Sequence, residues 1–240
     1  MRILKGKHVI QAALQARTAL HGVYIDKAKS SDPSLKSLIQ SCKKQKIRLS
    51  FVTQQQLLDL HPDSHESVLA IANPEHAPTL KEILANPEKY PCILLLDHLE
   101  DPFNFGGLLR TAEAFGVPAV LYPKKRQVPL TPGVMKVASG ATEYLDIIDI
   151  GNVAQCLRAC RKAGYWIYAA DSNQGVAISE FTPQFPAVIV AGNEANGLAS
   201  LTQSLCDEFV QIPLSGQTES LNVGVAMGII IHHIMGARPA

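Results

Sequence analysis

The feature that most constrains this chain is a series of short, unbroken apolar runs. Ile93-Leu94-Leu95-Leu96, followed at once by Asp97, is the clearest. Others lie at Ala119–Tyr122, Tyr144–Ile148, Trp166–Ala170, Ala187–Ala191 and Phe209–Ile212. A strand with one wet face alternates apolar and polar residues; a strand buried on both faces does not. Between the runs lie helical patterns near Gly107–Phe115, Thr131–Ala138, Val153–Ala163, Leu198–Cys206 and Leu221–Met235. Strand and helix in alternation predict an open α/β fold with a mostly parallel sheet. In such sheets ligands bind beyond the carboxyl ends of the strands, so the residues after each run are the place to look.

The first 72 or so residues predict a smaller α/β unit. Asp32-Pro33 is a cap followed by a proline at the first helical position, opening a helix to about Lys44. Ile47–Val52 and Ser67–Ala72 read as strands, Gly22–Ile25 as a weaker one, and Thr53 caps a short helix. Prolines at 74, 78, 87 and 91 in a turn-rich stretch, with a short Thr79-capped helix inside it, mark a boundary. The expected division is a first domain over 1–74, a linker over 75–90 and a second domain over 91–240.

Charge separates the same two parts. The whole chain is nearly neutral, at +1 over 240 residues, which taken alone argues against a nucleic-acid partner. Residues 1–74 hold 11 Lys+Arg and 5 acids, a net +6, and the rest is −5. A basic module joined to an acidic one suits a phosphate-rich partner for the first part. The apolar fraction of 47% is too high for a disordered chain. No uncharged run is long enough to span a membrane, and the first residues lack a secretory core. Five scattered cysteines predict reduced thiols and a cytoplasmic setting. Cys156 and Cys160, four apart on one helix face, read as core.

Three loops after strands carry polar side chains and glycines. The first is Asp101-Pro102-Phe103-Asn104-Phe105-Gly106-Gly107-Leu108-Leu109-Arg110, where a Gly pair in a strand-to-helix turn would let a ligand approach the backbone. Arg110 offers a guanidinium suited to phosphate. The second is Gly192-Asn193-Glu194-Ala195-Asn196-Gly197. The third runs from Ile212-Pro213-Leu214 to Ser220-Leu221-Asn222, with Ser220 as the expected N-cap of the last helix and Asn222 disfavoured inside its first turn. None is the G-x-G-x-x-G of a dinucleotide site or a Walker loop, which speaks against a nucleotide-dependent oxidoreductase.

Together, in this order and spacing, the loops resemble the three motifs of the SpoU-type RNA 2′-O-ribose methyltransferases of the SPOUT superfamily, also called TrmH-like. Asn104, Gly106 and Arg110 match N-x-G-x-x-x-R. Gly192, Glu194 and Gly197 match G-x-E-x-x-G. Ile212, Pro213, Ser220, Leu221, Asn222 and Val223 match I-P…S-L-N-V. The first 72 residues are similar, more loosely, to the ribosomal-protein-like RNA-binding domain some members carry. At the place of that domain's His-Gln-Gly stretch, this chain has His65-Glu66-Ser67.

The resemblance implies a trefoil-knotted α/β domain, which pattern reading would not suggest because knots are rare exceptions to the rules of chain connection. It implies a homodimer through that domain and S-adenosylmethionine (SAM) as cofactor, converted to S-adenosylhomocysteine, with no metal. Asn104, Arg110, Glu194, Ser220 and Asn222 take the catalytic positions. Gly192, Asn193, Glu194, Gly197, Ile212, Pro213, Leu214, Ser220, Leu221 and Asn222 take the cofactor-binding ones. RNA is the implied substrate: 23S ribosomal RNA first, a guanosine being one possibility, and transfer RNA second. A non-enzyme alternative is an RNA-binding paralogue without activity. A basic strip at Lys124-Lys125-Arg126 is expected to add RNA contacts near the site.

Overall fold

In a computed structural model, the structure describes residues 2–61, 66–72, 78–171, 174–193 and 197–238. The chain divides into two compact units: residues 1–76 with 139–144, and residues 77–138 with 145–240.

The first unit contains β1 (Arg2–Lys5), α1 (Lys7–Gln15), β2 (Leu20–Asp26), α2 (Lys36–Lys44), β3 (Leu49–Val52), α3 (Gln54–Leu60) and β4 (Val68–Ala72). Its sheet has the order β1-β4-β2-β3; β4 runs antiparallel to β1 and β2, and β3 parallel to β2. Val68, Ala70 and Ala72 alternate along β4 toward a core they share with Ile10 and Leu14 of α1 and Leu38 and Cys42 of α2. Asp32 accepts from Ser34 N at 2.8 Å, with Pro33 at the first position of a 3-10 turn that leads into α2. Thr53 and Gln56 form a reciprocal capping box on α3.

The second unit contains α4 (Leu80–Leu84), β5 (Cys92–Leu96), α5 (Pro102–Ala114), β6 (Ala119–Pro123), α6 (Pro132–Ala138), β7 (Asp146–Ile150), α7 (Val153–Lys162), β8 (Trp166–Ala170), β9 (Val176–Ala177), β10 (Ala187–Ala191), α8 (Ser200–Gln203), β11 (Glu208–Gln211) and α9 (Val223–Gly236). Its seven strands lie in the order β7-β6-β5-β10-β8-β11-β9, and every pairing is parallel. The unbroken apolar runs have the burial expected of them: all five residues of β5 and all five of β10 are buried. The chain builds outward from β5 through β6 to β7, then returns to place β10 on the other side of β5. The order reverses between β5 and β10, which puts a crevice at their carboxyl ends.

Several boundaries differ from the sequence reading. α5 begins at Pro102 rather than Gly107, because Asp101 caps it by accepting from Phe103 N at 2.9 Å and Pro102 holds the first position. Helix in 198–206 is confined to Ser200–Gln203. β7 starts at Asp146, and Tyr144 instead joins the first unit, donating to Ala12 O at 3.0 Å. Cys156 and Cys160 are buried on α7, and all five cysteines are free. Among the described residues, no helix is long and apolar enough to cross a membrane.

Candidate active site

The parallel sheet sends the ends of β5, β10 and β11 to one edge, and the three polar loops emerge there. Two are stitched together by backbone. Asp97 N donates to Ala191 O at 2.7 Å, so the first residue beyond β5 continues the ladder with β10. Asn193 Nδ2 then donates to His98 O at 2.8 Å. The Asn193 side chain thus serves the join between the loops. Asn193 and Gly197 also exchange two backbone hydrogen bonds, at 2.9 and 3.0 Å, with Gly197 at φ +63°. A Cβ on Gly192 would lie 2.8 Å from Gly197 C, so only glycine lets the two ends of this loop pass so closely. Glu194 and Asn196 lie outside the described residues, as does His65.

The early start of α5 changes the meaning of its glycines. Gly106 and Gly107 are inside the helix and not in a turn open to a ligand. A Cβ on Gly106 would meet Val137 Cβ at 2.6 Å and Val134 O at 2.7 Å, so this glycine lets α6 lie against α5. Asn104 falls in the first turn and is half-buried. Arg110 is exposed and makes no hydrogen bond or ion pair with another described residue. Six residues apart on a helix, Asn104 and Arg110 are separated by about 9 Å along the axis and roughly 120° around it. The helix therefore spreads them over an area the size of a nucleotide.

The third loop corrects the sequence reading at its end. The N-cap of α9 is Asn222, whose Oδ1 accepts from Gly224 N at 2.9 Å and Val225 N at 3.4 Å. Ser220 is exposed and two residues too early to cap, and Asn222 has a strong local reason for its place. With Oδ1 engaged by the backbone, Nδ2 of Asn222 is turned outward and donates to Asn104 Oδ1 at 3.0 Å. The first and third loops, 118 residues apart, are joined side chain to side chain.

Between β11 and this cap, the backbone of residues 212–221 makes no hydrogen bond to another described residue. Its N–H and C=O groups are free to meet an adenine edge, and Ile212 and Leu221 are half-buried while Pro213 and Leu214 are exposed. Such a segment fits a cofactor held chiefly by main-chain contacts.

Sequence reasoning missed the pair just after β5. Asp97 is 1% exposed, and one of its carboxylate oxygens is hydrogen-bonded to His98 Nδ1. His98 has φ +64°, strained for a residue with a side chain. The available signal was an acid directly after five buried apolar residues. The loop after β6 is tied in by Leu99 N donating to Gln127 Oε1 at 2.6 Å. This brings Lys124-Lys125-Arg126, all exposed, to the strand edge beside β5, with Lys124 paired to Asp149 at 3.8 Å. Among the described residues no group of three His, Cys, Asp or Glu side chains is placed to hold a metal.

Residues 91–232 match the model of the SpoU rRNA methylase family. The chain belongs to that family. Residues 3–78 match a second model, described as RNA 2′-O ribose methyltransferase substrate binding. A 23S rRNA (guanosine-2′-O-)-methyltransferase of Coxiella burnetii is 33% identical over 245 residues, covering 100% of this chain and 97% of that protein. An uncharacterized tRNA/rRNA methyltransferase of Synechocystis is 31% identical over 98% of this chain, which spans only 62% of that relative's length. Among solved structures, the SpoU methyltransferase AviRb of Streptomyces viridochromogenes, in complex with AdoMet, shares the fold with a TM-score of 0.75. It is 20% identical, and the match covers 98% of this chain and 89% of that one.

Proposed function

We propose that this SpoU-family methyltransferase moves a methyl group from SAM to a ribose 2′-hydroxyl of ribosomal RNA, of the 23S type. The observation that carries the reading is the Asn222–Asn104 hydrogen bond, which unites the first and third motifs at the carboxyl edge of the sheet. The match of residues 3–78 to a substrate-binding module supports an RNA large enough to need a second domain. The Coxiella relative supports 23S rRNA over transfer RNA, with guanosine as the base.

Bound SAM would supply a methyl on a sulfonium, already a strong electrophile. The chain's task is alignment and the handling of one proton. The free backbone of 212–221, with Gly192 and Gly197 beyond the end of β10, holds the cofactor. Arg110 holds the phosphate next to the target ribose and steadies the forming alkoxide. It does not act as a base, because a guanidinium stays protonated; the proton leaves to phosphate or water. Asn222 fixes the Asn104 amide so that Asn104 Nδ2 faces the substrate. Ser220, exposed on the third loop, adds a hydroxyl to the site, and Glu194 takes the catalytic role that its position in the second motif gives it.

The working form is a homodimer through the knotted second unit; exposed Val225 and Ile229, one turn apart on α9, support an apolar contact there. Five free thiols support a reducing, cytoplasmic setting. The test is transfer of labelled methyl from SAM to purified 23S and transfer RNA, with mapping of 2′-O-methyl positions in cells with and without the protein. Label entering transfer RNA alone would overturn the ribosomal assignment, and no transfer to either RNA would overturn the activity.

A further inference from the structure

Four helices of this chain end in the same Schellman turn. In that turn the second residue past the last helical one takes a left-handed conformation, a place usually filled by glycine. At the ends of α5 and α7 it is glycine: Gly116 at φ +76° and Gly164 at φ +88°. The closing bonds run from Val117 N to Ala112 O and from Tyr165 N to Cys160 O. At the ends of α1 and α2 it is a cation: Arg17 at φ +59° and Lys46 at φ +56°. Their closing bonds, Thr18 N to Ala13 O and Ile47 N to Cys42 O, are both 2.9 Å. Among the described residues, the same backbone corner thus carries a strained long side chain only in the first unit, and there twice.

The two corners are side by side. Gln45 Nε2 donates to Leu14 O at 3.0 Å, tying one helix end to the other. A groove of about 630 Å³ opens between them, lined by Leu14, Gln15, Arg17, Ser41, Lys44 and Gln45. Lys43 and Arg48 flank it in sequence, and all five cations here are exposed and have no ion pair with a described residue. The described carboxylates of the unit are elsewhere. Asp26 ends β2, Asp32 precedes α2, and Glu66 stands by Gly6 at the start of α1, all at the opposite end of the sheet. Asp59 is on α3, whose Leu57 lies outside the core shared by α1 and α2. Glu143, which approaches Thr18, is turned inward.

Helix dipoles favour cations in a last turn, which accounts for Lys43 and Lys44. They do not account for side chains at the two glycine positions. The dipoles would in fact repel an anion here, so any anion held in this groove is held by the side chains. We propose that the paired ends of α1 and α2 form the phosphate-binding face of the first unit, where Arg17, Lys44 and Lys46, flanked by Lys43 and Arg48, grip the RNA backbone. This rests on the reading of the chain as an RNA methyltransferase and names which end of the first unit meets the RNA.

The test uses the full-length protein, a fluorescein-labelled mixed-sequence stem-loop RNA, and anisotropy titrations over a range of salt. Arg17→Gly with Lys46→Gly places the favoured residue at both corners, so melting temperature should stay level or rise. RNA binding should weaken about tenfold near physiological salt, with the slope of log K against log [salt] shallower by about 1.5, at roughly 0.7–0.9 per lost contact. Lys27→Gln with Lys36→Gln, at the opposite end, should change both much less. Arg17→Lys with Lys46→Arg should keep wild-type affinity. Unchanged affinity and slope in the glycine variant would refute the assignment, as would an equal loss in the opposite-end pair. Wild-type protein that binds no RNA would overturn this proposal and the substrate reading together, which separates that failure from a misplaced face.

Discussion

Asn222 performs two tasks with one amide, and a single substitution separates them. Oδ1 caps α9 and Nδ2 reaches Asn104. Asn222→Ala removes both. Loss of an Asn cap costs about 1 kcal/mol, and an exposed side-chain hydrogen bond adds roughly 0.5 kcal/mol. For a unit of this size that is a fall in Tm of about 3–6 °C. Asn222→Asp keeps the cap, since a carboxylate accepts from the same backbone donors and is favoured at a helix N-terminus. Its Tm should stay within about 2 °C of wild type. The carboxylate has no donor, however, so Asn104 must turn its amide and present Oδ1 where it had presented Nδ2. If Asn104 meets the substrate as a donor, that reversal should lower kcat about 10- to 100-fold, as one displaced hydrogen bond of roughly 1.4–2.7 kcal/mol would. Affinity for SAM should hardly change. Thermal melts, SAM titration and single-turnover methyl transfer measure all three quantities. Wild-type turnover in Asn222→Asp would refute the role given to the pair, and a melt as low as that of Asn222→Ala would refute the cap.

The remaining expectations concern packing and protons. Gly106→Ala should destabilise by about 1–2 kcal/mol in denaturant titration: the Cβ meets Val137 and Val134 O, and the overpacking exceeds the roughly 1 kcal/mol that alanine gains in helix propensity. A gain in stability would mean that α6 yields easily. Gly192→Ala should weaken SAM binding at least tenfold, read by calorimetry, because a Cβ there displaces the backbone of Gly197 and Leu198. Burial pushes the Cys92 thiol up to about 12 and the Cys206 thiol likewise to about 12. Between pH 9 and 12 the unfolded chain would lose a proton from Cys92 that the folded chain keeps, so stability should fall as pH rises, by about 1.4 kcal/mol per unit from this group alone. Below pH 9 it should exert no effect, and Cys92→Ser should flatten the alkaline slope of the stability curve. In native protein near pH 8, iodoacetamide should label these thiols far more slowly than in denaturant.

Much of the fold was legible because the second unit's sheet is buried on both faces. Burial removed the polar residues from Cys92–Leu96 and Ala187–Ala191, leaving runs that no half-wet strand would show. The misplacements have local causes. Asp101-Pro102 is the same cap-and-proline pair as Asp32-Pro33, but the glycines after it read as a turn when they lie inside the helix, where the smallness of Gly106 serves the contact with α6. α1 left no start signal at all, since Gly6 precedes it and has no side chain with which to cap. Leu198–Cys206 overstated a helix because buried Leu198, Thr202 and Leu205 mimic helical spacing around a single short turn.

The site was legible as a set of residues but not as an arrangement, and Asn222 shows why. Propensity scales judge a residue by the element thought to contain it, so moving the helix start by two residues turned Asn222 from disfavoured to preferred. Ser220, an equally good cap on paper, hid the difference. What decided between them is a long-range fact: only a cap at 222 leaves an amide donor 3.0 Å from Asn104. A serine cap has no second arm with which to reach another loop. The same economy explains the emptiness of residues 212–221. A segment that offers main-chain groups to a ligand needs no distinctive side chains, so its composition carries little signal, while the side chains at its end carry the burden of holding the loops in register. Asn222→Ser should therefore cap α9 with near-native stability, yet remove the bond from residue 222 to Asn104. Stability near wild type with a marked loss of methyl transfer is the expected result, and full activity would show that Asn104 is held by something other than this bond.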